Sequence, residues 1–242
     1  MTQIPKKLNK CPLVDVIFEM RFNPIVPQEV VFPMIYNQIS GDFGPIEALP
    51  ASQIPLPVRN NDPTLEFVPL FRLRSRQNQN HIIQIGTKVV SWSSSPVYSG
   101  WEDFKKYLES GLSKVISSGA FSYITRIGFR AINFFENENI FKKLRLKILL
   151  GDEEIPYNQT MLRTEMVNND FISTVQIMND ANVHLLASRK KGSLIDIDTS
   201  FMLNSIDLKV AEEKISKAHS IEKEVFFSLL RPELLESLEP EQ

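Results

Sequence analysis

Apolar residues alternate with charged or small ones at roughly period two in two long stretches, 12–22 and 123–134, the pattern of half-buried strands. Each stretch is followed by a short helical pattern and then by further strands, which reads as one half, about 120 residues long, used twice. In the first half Pro24 and Pro27 interrupt the chain, after which Val31, Met34, Ile35 and Ile39 recur at helical spacing. Pro33 lies inside that segment, so the regular helix is expected to begin near it. The stretch 41–63, rich in prolines and turn residues such as Asn60-Asn61-Asp62-Pro63, reads as mostly loop. Strands are expected at 66–74, 81–85 and 88–93, the last two joined in hairpin fashion by Gly86-Thr87.

Ser99-Gly100-Trp101-Glu102 has the form of a capping box, in which Ser99 and Glu102 each satisfy the other's free backbone N–H. The helix it opens carries Trp101, Phe104, Leu108, Leu112 and Val115 as one apolar stripe and stops at Gly119. The second half repeats the order with a strand over 121–135, a short helix near 140–144, and strands over 161–168, 171–179, 183–189 and 193–200. Asn168-Asn169-Asp170, residues 179–182 and Lys190-Lys191-Gly192 supply the turns between them. A long helix over 207–230 follows, with Leu208, Ala211, Ile215, Ala218, Glu222, Val225 and Leu229 along one side; Pro232 ends it, and 233–238 form a last turn or two. This pattern predicts an α+β protein of two similar β-α-β(3–4)-α halves, 1–118 and 119–242, packed as one unit with antiparallel sheets cradling the long helices. The element order is similar to that of the duplicated TATA-binding-type fold, an analogy that carries no function.

Composition narrows the classes. A chain of 242 residues that is 43% hydrophobic can bury a sizeable core. No apolar run approaches the roughly 18 residues of a membrane span, and the polar start has no signal-peptide core, so a cytoplasmic location away from membranes is expected. Cys11 is the single cysteine, which excludes an intrachain disulfide and a thiolate-rich metal site. Its place just before the first strand suits ordinary packing. A net charge of -2 argues against bulk attraction to nucleic acid, although a local patch can differ in sign from the total.

Arg21, Arg72, Arg74, Arg126, Arg130, Arg163 and Arg189 all fall in expected strands, with Arg72/Arg74 and Arg126/Arg130 sharing a face within their own strand. Such a face suits phosphates or carboxylates; the alternative is a solvated outer face paired with Glu19, Glu66 and Glu165. Gly128, between Arg126 and Arg130, either admits a ligand or marks a bulge or close packing. Asp196 and Asp198 point the same way from one strand, yet no further ligand converges by spacing, so no metal is expected. His219 has Glu222 about one turn away and Lys223 beside it, an arrangement that could move a proton or serve as a structural hydrogen-bonding pair. His81 and His184 join no motif. Nucleotide-binding glycine loops and the common hydrolase motifs are missing as well, so neither a cofactor nor a catalytic set is expected.

The segment from Leu8 through Pro12-Leu13-Val14-Asp15-Val16 to Arg21-Phe22 resembles the opening of a sporadically distributed family of uncharacterised bacterial proteins of similar length. The central Arg126-Ile127-Gly128-Phe129-Arg130-Ala131-Ile132-Asn133 and the helix bearing His219 are similar to two further hallmarks of that family. This chain departs at Asp15, where Glu is usual, and at Ala131, where an aromatic is usual. The family's scattered occurrence resembles that of genes in mobile or defence-associated regions, which implies an accessory role. The expectation is a non-catalytic protein that binds a protein partner, as the antitoxin, immunity or adaptor member of a bacterial accessory or antiviral defence module. It would act through its exposed sheet, an edge strand or the C-terminal helix. The alternative is a nucleic-acid binder using the arginine-bearing sheet face, with Phe71, Trp92 or Phe129 as stacking surfaces. An enzyme built on Asp196, Asp198 and His219 is the third reading.

Overall fold

Residues 4–185 and 188–241 are described by the structure, a computed structural model. Along the chain run β1 (Lys7–Leu8), β2 (Leu13–Pro24), α1 (Gln28–Ile39), β3 (Glu47–Ala48), α2 (Leu56–Asn61), β4 (Phe71–Arg74), β5 (His81–Ile85), β6 (Val89–Ser94) and α3 (Trp101–Ser117). Then come β7 (Phe121–Glu136), β8 (Leu149–Leu150), β9 (Glu153–Glu154), β10 (Met161–Asn168), β11 (Phe171–Leu185), β12 (Ser188–Ser205), α4 (Leu208–Leu229), α5 (Pro232–Ser237) and β13 (Pro240–Glu241). The class is α+β, and the hydrogen-bonded order of the main sheet is β10-β11-β12-β7-β2-β6-β5-β4-β3. By contacts the chain divides into two compact units: a larger one of Val16–Phe129 and Ser200–Ser216, and a smaller one of Met1–Asp15, Arg130–Thr199 and Lys217–Gln242.

In the larger unit the period-two pattern sorts the sheet into a covered and a polar face. Phe18 of β2 lies opposite Trp92 of β6, which lies opposite Ile83 of β5, which lies opposite Leu73 of β4, and all four are buried. Met20, Val90 and Ile85 form the neighbouring buried row. Helices α1 and α3 lie on this face. The ring of Phe32 sits 4.0 Å from that of Phe71, Tyr107 stacks on His81 at 4.2 Å, and a Cβ on Gly111 would come within 2.3 Å of Trp92 Nε1. On α3 the expected stripe of Phe104, Leu108, Leu112 and Val115 is buried, and Trp101 meets Phe129 edge-on at 5.6 Å.

Local expectations are corrected at several points. Helix α1 begins at Gln28 and runs through Pro33, because Val31, Ile35 and Ile39 are all buried on one face and their packing outweighs the one backbone bond that proline forfeits. The 41–63 segment is not mostly loop: it holds β3, α2 and a 3₁₀ turn over Pro50–Gln53, with proline at first-turn positions where its missing N–H costs nothing. The strand expected over 66–74 shortens to β4, after a 3₁₀ turn over Pro63–Leu65. The capping box does not form. Gly100, at φ 106°, occupies the cap position, which leaves Ser99 one residue too early, and its hydroxyl donates to the Asp103 carboxylate instead.

In the smaller unit β11 buries Phe171, Ser173, Val175 and Ile177 on one face, and β12 buries Ser193, Ile195, Ile197 and Thr199. The hydroxyls of Ser173 and Thr199 meet at 2.8 Å, so neither is orphaned in the core. The two strands expected at 171–179 and 183–189 are not separated by a turn at 179–182. β11 continues to Leu185, Asp180 takes a φ of 63° within it, and the Asn179 amide donates to the Tyr157 and Asn158 carbonyls rather than closing a turn; residues 186–187 lie outside the described residues. The turn expected at Lys190-Lys191-Gly192 is strand as well, and Gly192 is there because any Cβ would stand 2.1 Å from the Phe135 carbonyl oxygen. Arg231 ties the end of α4 down, its Nε donating to the Leu144 carbonyl at 2.7 Å.

Gly111→Ala tests the covered face. Alanine in mid-helix ordinarily gains about 1 kcal/mol over glycine, but here the added methyl must displace a buried indole. The variant is expected to lose about 1–3 kcal/mol in urea unfolding; a gain would contradict the Trp92 contact.

Candidate functional site

On the polar face of the larger unit, Glu47, Arg72, Gln84, Ser91 and Glu19 are successive cross-strand partners, which places all five side chains in one row across β3, β4, β5, β6 and β2. Glu19 Oε1 accepts from Arg21 Nε at 2.7 Å and from Arg126 Nη1 at 2.9 Å. Arg72 Nη1 donates to Glu47 at 3.3 Å, and turning the Gln84 amide so that its oxygen faces Arg72 adds acceptance from Nε at 3.1 Å. The Arg21 guanidinium also lies 4.2 Å over the Phe67 ring. Arg74 is exposed and donates to the Gln79 carbonyl at 3.1 Å. The structure thus brings Arg21 and Arg126 together on one shared carboxylate, and with Arg72 three guanidiniums are set against the two carboxylates of Glu19 and Glu47.

In the smaller unit Arg130 grips Asp196 with two bonds, Nε to Oδ1 at 2.8 Å and Nη2 to Oδ2 at 2.5 Å. That bond, with the charges of Asp198 and Asp15 nearby, holds the Arg130 proton more firmly than usual. The Asp196 carboxylate is therefore occupied by a cation already, and among the described residues no group of three or more His, Cys, Asp or Glu side chains converges. Arg189 and Arg163 are exposed, and Cys11 is exposed rather than packed.

His219 and Glu222 lie on α4 as expected, with His219 half-buried and Glu222 in the interior. Glu222 is 5% exposed, and burial pushes its carboxyl up to about 8, against the pull of the Lys223 charge. Burial first, and then the same lysine, push His219 down to about 4. Both are neutral near pH 7, a state that lowers the cost of burying them.

A cleft of about 390 Å³ in the larger unit, which no motif or spacing marks, is lined in part by Asp42, Ser75, Asn78, His81, Asp103 and Tyr107. His81 Nε2 lies 3.1 Å from Asp103 Oδ2, the same oxygen that accepts from Ser99. Burial holds the imidazole below its ordinary range, with the charge and hydrogen bond of Asp103 opposing. The carboxylate stands between hydroxyl and imidazole, so Asp103 cannot orient His81 as a base toward Ser99, and the order is wrong for a nucleophile–base pair. What the group does is tie the Ser75-to-His81 loop, closed by Ser75 N donating to the His81 carbonyl, to the start of α3.

The feature with the character of an interface is β10. It ends the strand order, so among the described residues only β11 pairs with it, in an eight-residue antiparallel register from Met161↔Met178 to Asn168↔Phe171. Leu162, Thr164, Met166 and Asn168 lie opposite the buried positions of β11, yet only Leu162 is even half-buried. On the other face Met161 and Val167 are 60% and 74% exposed. β10 is thus a long edge strand bare on both sides, whereas the opposite edge, β3, is two residues long. Sequence spacing marked Arg163 as one of a set of cations; its position on a free edge depends on the sheet order.

No protein-family model and no curated protein matches this chain. No helix of the described residues is long and apolar enough to cross a membrane.

Glu222 yields a pH prediction. Its folded pKa is raised, so its contribution to stability is whole below the unfolded value near 4.5 and is lost as pH rises through about 8. Glu222→Gln is therefore expected to gain on the wild type between pH 5 and pH 9, by on the order of a few kcal/mol in urea unfolding. A difference between the two proteins that does not change with pH would contradict the buried neutral carboxyl.

Proposed function

We propose that this protein is a non-catalytic binding protein, an adaptor, antitoxin or immunity component of a bacterial accessory or defence module, that engages a polypeptide by strand addition at β10. The carrying observation is the free edge: an eight-residue strand in which every second residue turns its backbone groups away from β11, with exposed Met161, Met166 and Val167 beside them. Main-chain pairing along such an edge supplies affinity, and the alternating side chains supply selectivity. The chemistry of the polar sites supports the same reading. Arg21, Arg72, Arg126 and Arg130 are each committed to a carboxylate, which weakens the case for a phosphate-binding arginine face, and Ser99, Asp103 and His81 stand in an order unsuited to activating a nucleophile.

The test is a low-salt capture from the native host with the wild type and with Met161→Lys/Val167→Lys, which places charges on the edge on the face away from the buried row of β11. A stoichiometric protein held by the wild type and lost from the variant is the expected result. Nuclease-sensitive material held equally by both, with no protein lost, would move the function to the arginine face and overturn the proposal.

A further inference from the structure

Met161-Leu162-Arg163-Thr164-Glu165-Met166-Val167 reads as a near-palindrome in chemical type about Thr164. We propose that the strand added at β10 comes from a second copy of this chain, paired antiparallel about a two-fold axis through Thr164; this rests on the reading of β10 as a pairing edge. In that register Arg163 stands opposite Glu165 of the second copy, and Glu165 opposite its Arg163. The apolar residues match too, Leu162 with Met166 and Met161 with Val167, and Thr164 meets its own copy. Directly opposed residues share a face, so each pair is in contact range. Every pair joins like with like in polarity, and both charge pairs join opposite signs.

Other registers are worse. Moving the axis to between Thr164 and Glu165 sets Arg163 against Met166 and Thr164 against Glu165, which leaves both charges without partners. Parallel in-register pairing sets Arg163 on Arg163 and Glu165 on Glu165, which is repulsive twice. Within the chain the opposite positions on β11 are Gln176 and Thr174, and neither Arg163 nor Glu165 makes an ion pair among the described residues. The two charges that would repel a generic strand are therefore placed to accept this one. Association is also isologous, so it closes at two and leaves no free β10 edge for further growth.

The experiment is sedimentation of the full chain over a range of concentrations, with Arg163→Glu, Glu165→Arg and the double exchange. Each single exchange puts like charges opposite one another twice and is expected to raise the dimer dissociation constant about tenfold or more, and the double exchange to restore it. In a Cys11→Ser background, Thr164→Cys should cross-link to its own copy under mild oxidation, and Arg163→Cys should not. A wild type that stays monomeric overturns the second copy as occupant while leaving β10-dependent capture of another polypeptide intact. A dimer indifferent to the exchanges, or one cross-linking better at position 163 than at 164, overturns the register and with it the proposal.

Discussion

An amphipathic sheet is stable where something covers its apolar face, and the structure of this chain follows from where that cover is supplied and where it ends. In the larger unit the cover is α1 and α3, and the tightest point of contact is Gly111 against the Trp92 indole. That approach has a cost, since Trp92 Nε1 is buried without a hydrogen-bond acceptor. Its counterpart in the smaller unit is Gly192 against the Phe135 carbonyl, where a side chain would hold two backbones apart. At β10 the cover has ended: residues opposite the buried positions of β11 are themselves exposed.

The polar groups obey a matching economy. Charges that face partly away from water are paired, as in the row through Glu19 and in the Arg130–Asp196 fork, and burial favours the neutral form at the deeply buried Glu222 and the half-buried His219. Such groups bear on the arrangement of strands, because a slip of β7 along β2 would part Glu19 from Arg126 while leaving it Arg21 of its own strand. At Glu222 and His219 burial is the larger cause of the shift, and at the His81 cleft the hydroxyl, carboxylate and imidazole stand in the wrong order to activate a nucleophile.

What was legible in the sequence was what local periodicity controls. β2, β5, β7, β10, α3 and α4 lie close to where alternation and helical spacing put them. Two of the failures share a cause: a residue whose usual local meaning was overridden by a partner distant in sequence. Pro33 did not start α1, because Val31, Ile35 and Ile39 had a core to enter. Lys190-Lys191-Gly192 was not a turn, because the glycine was answering Phe135. Of the candidate site residues, the carboxylate partnership of Arg21 and Arg126 with Glu19 was readable as an alternative, whereas the meeting of His81 with Asp103 was not, since neither spacing nor motif joins them. For Arg163 the residue was visible and its setting was not. Sheet order turns an ordinary exposed arginine into half of a self-complementary pair.

That the free edge of β10 pairs with the same edge of a second copy is read directly by backbone amide exchange. In an antiparallel strand every second N–H points away from its one partner, so half the amides of 161–168 are unprotected in an isolated copy. Hydrogen exchange measured from dilute to concentrated protein should show those outward amides slowing with concentration while the inward ones, already bonded to β11, stay unchanged. Exchange at 161–168 that remains fast for every second amide at all concentrations would contradict it.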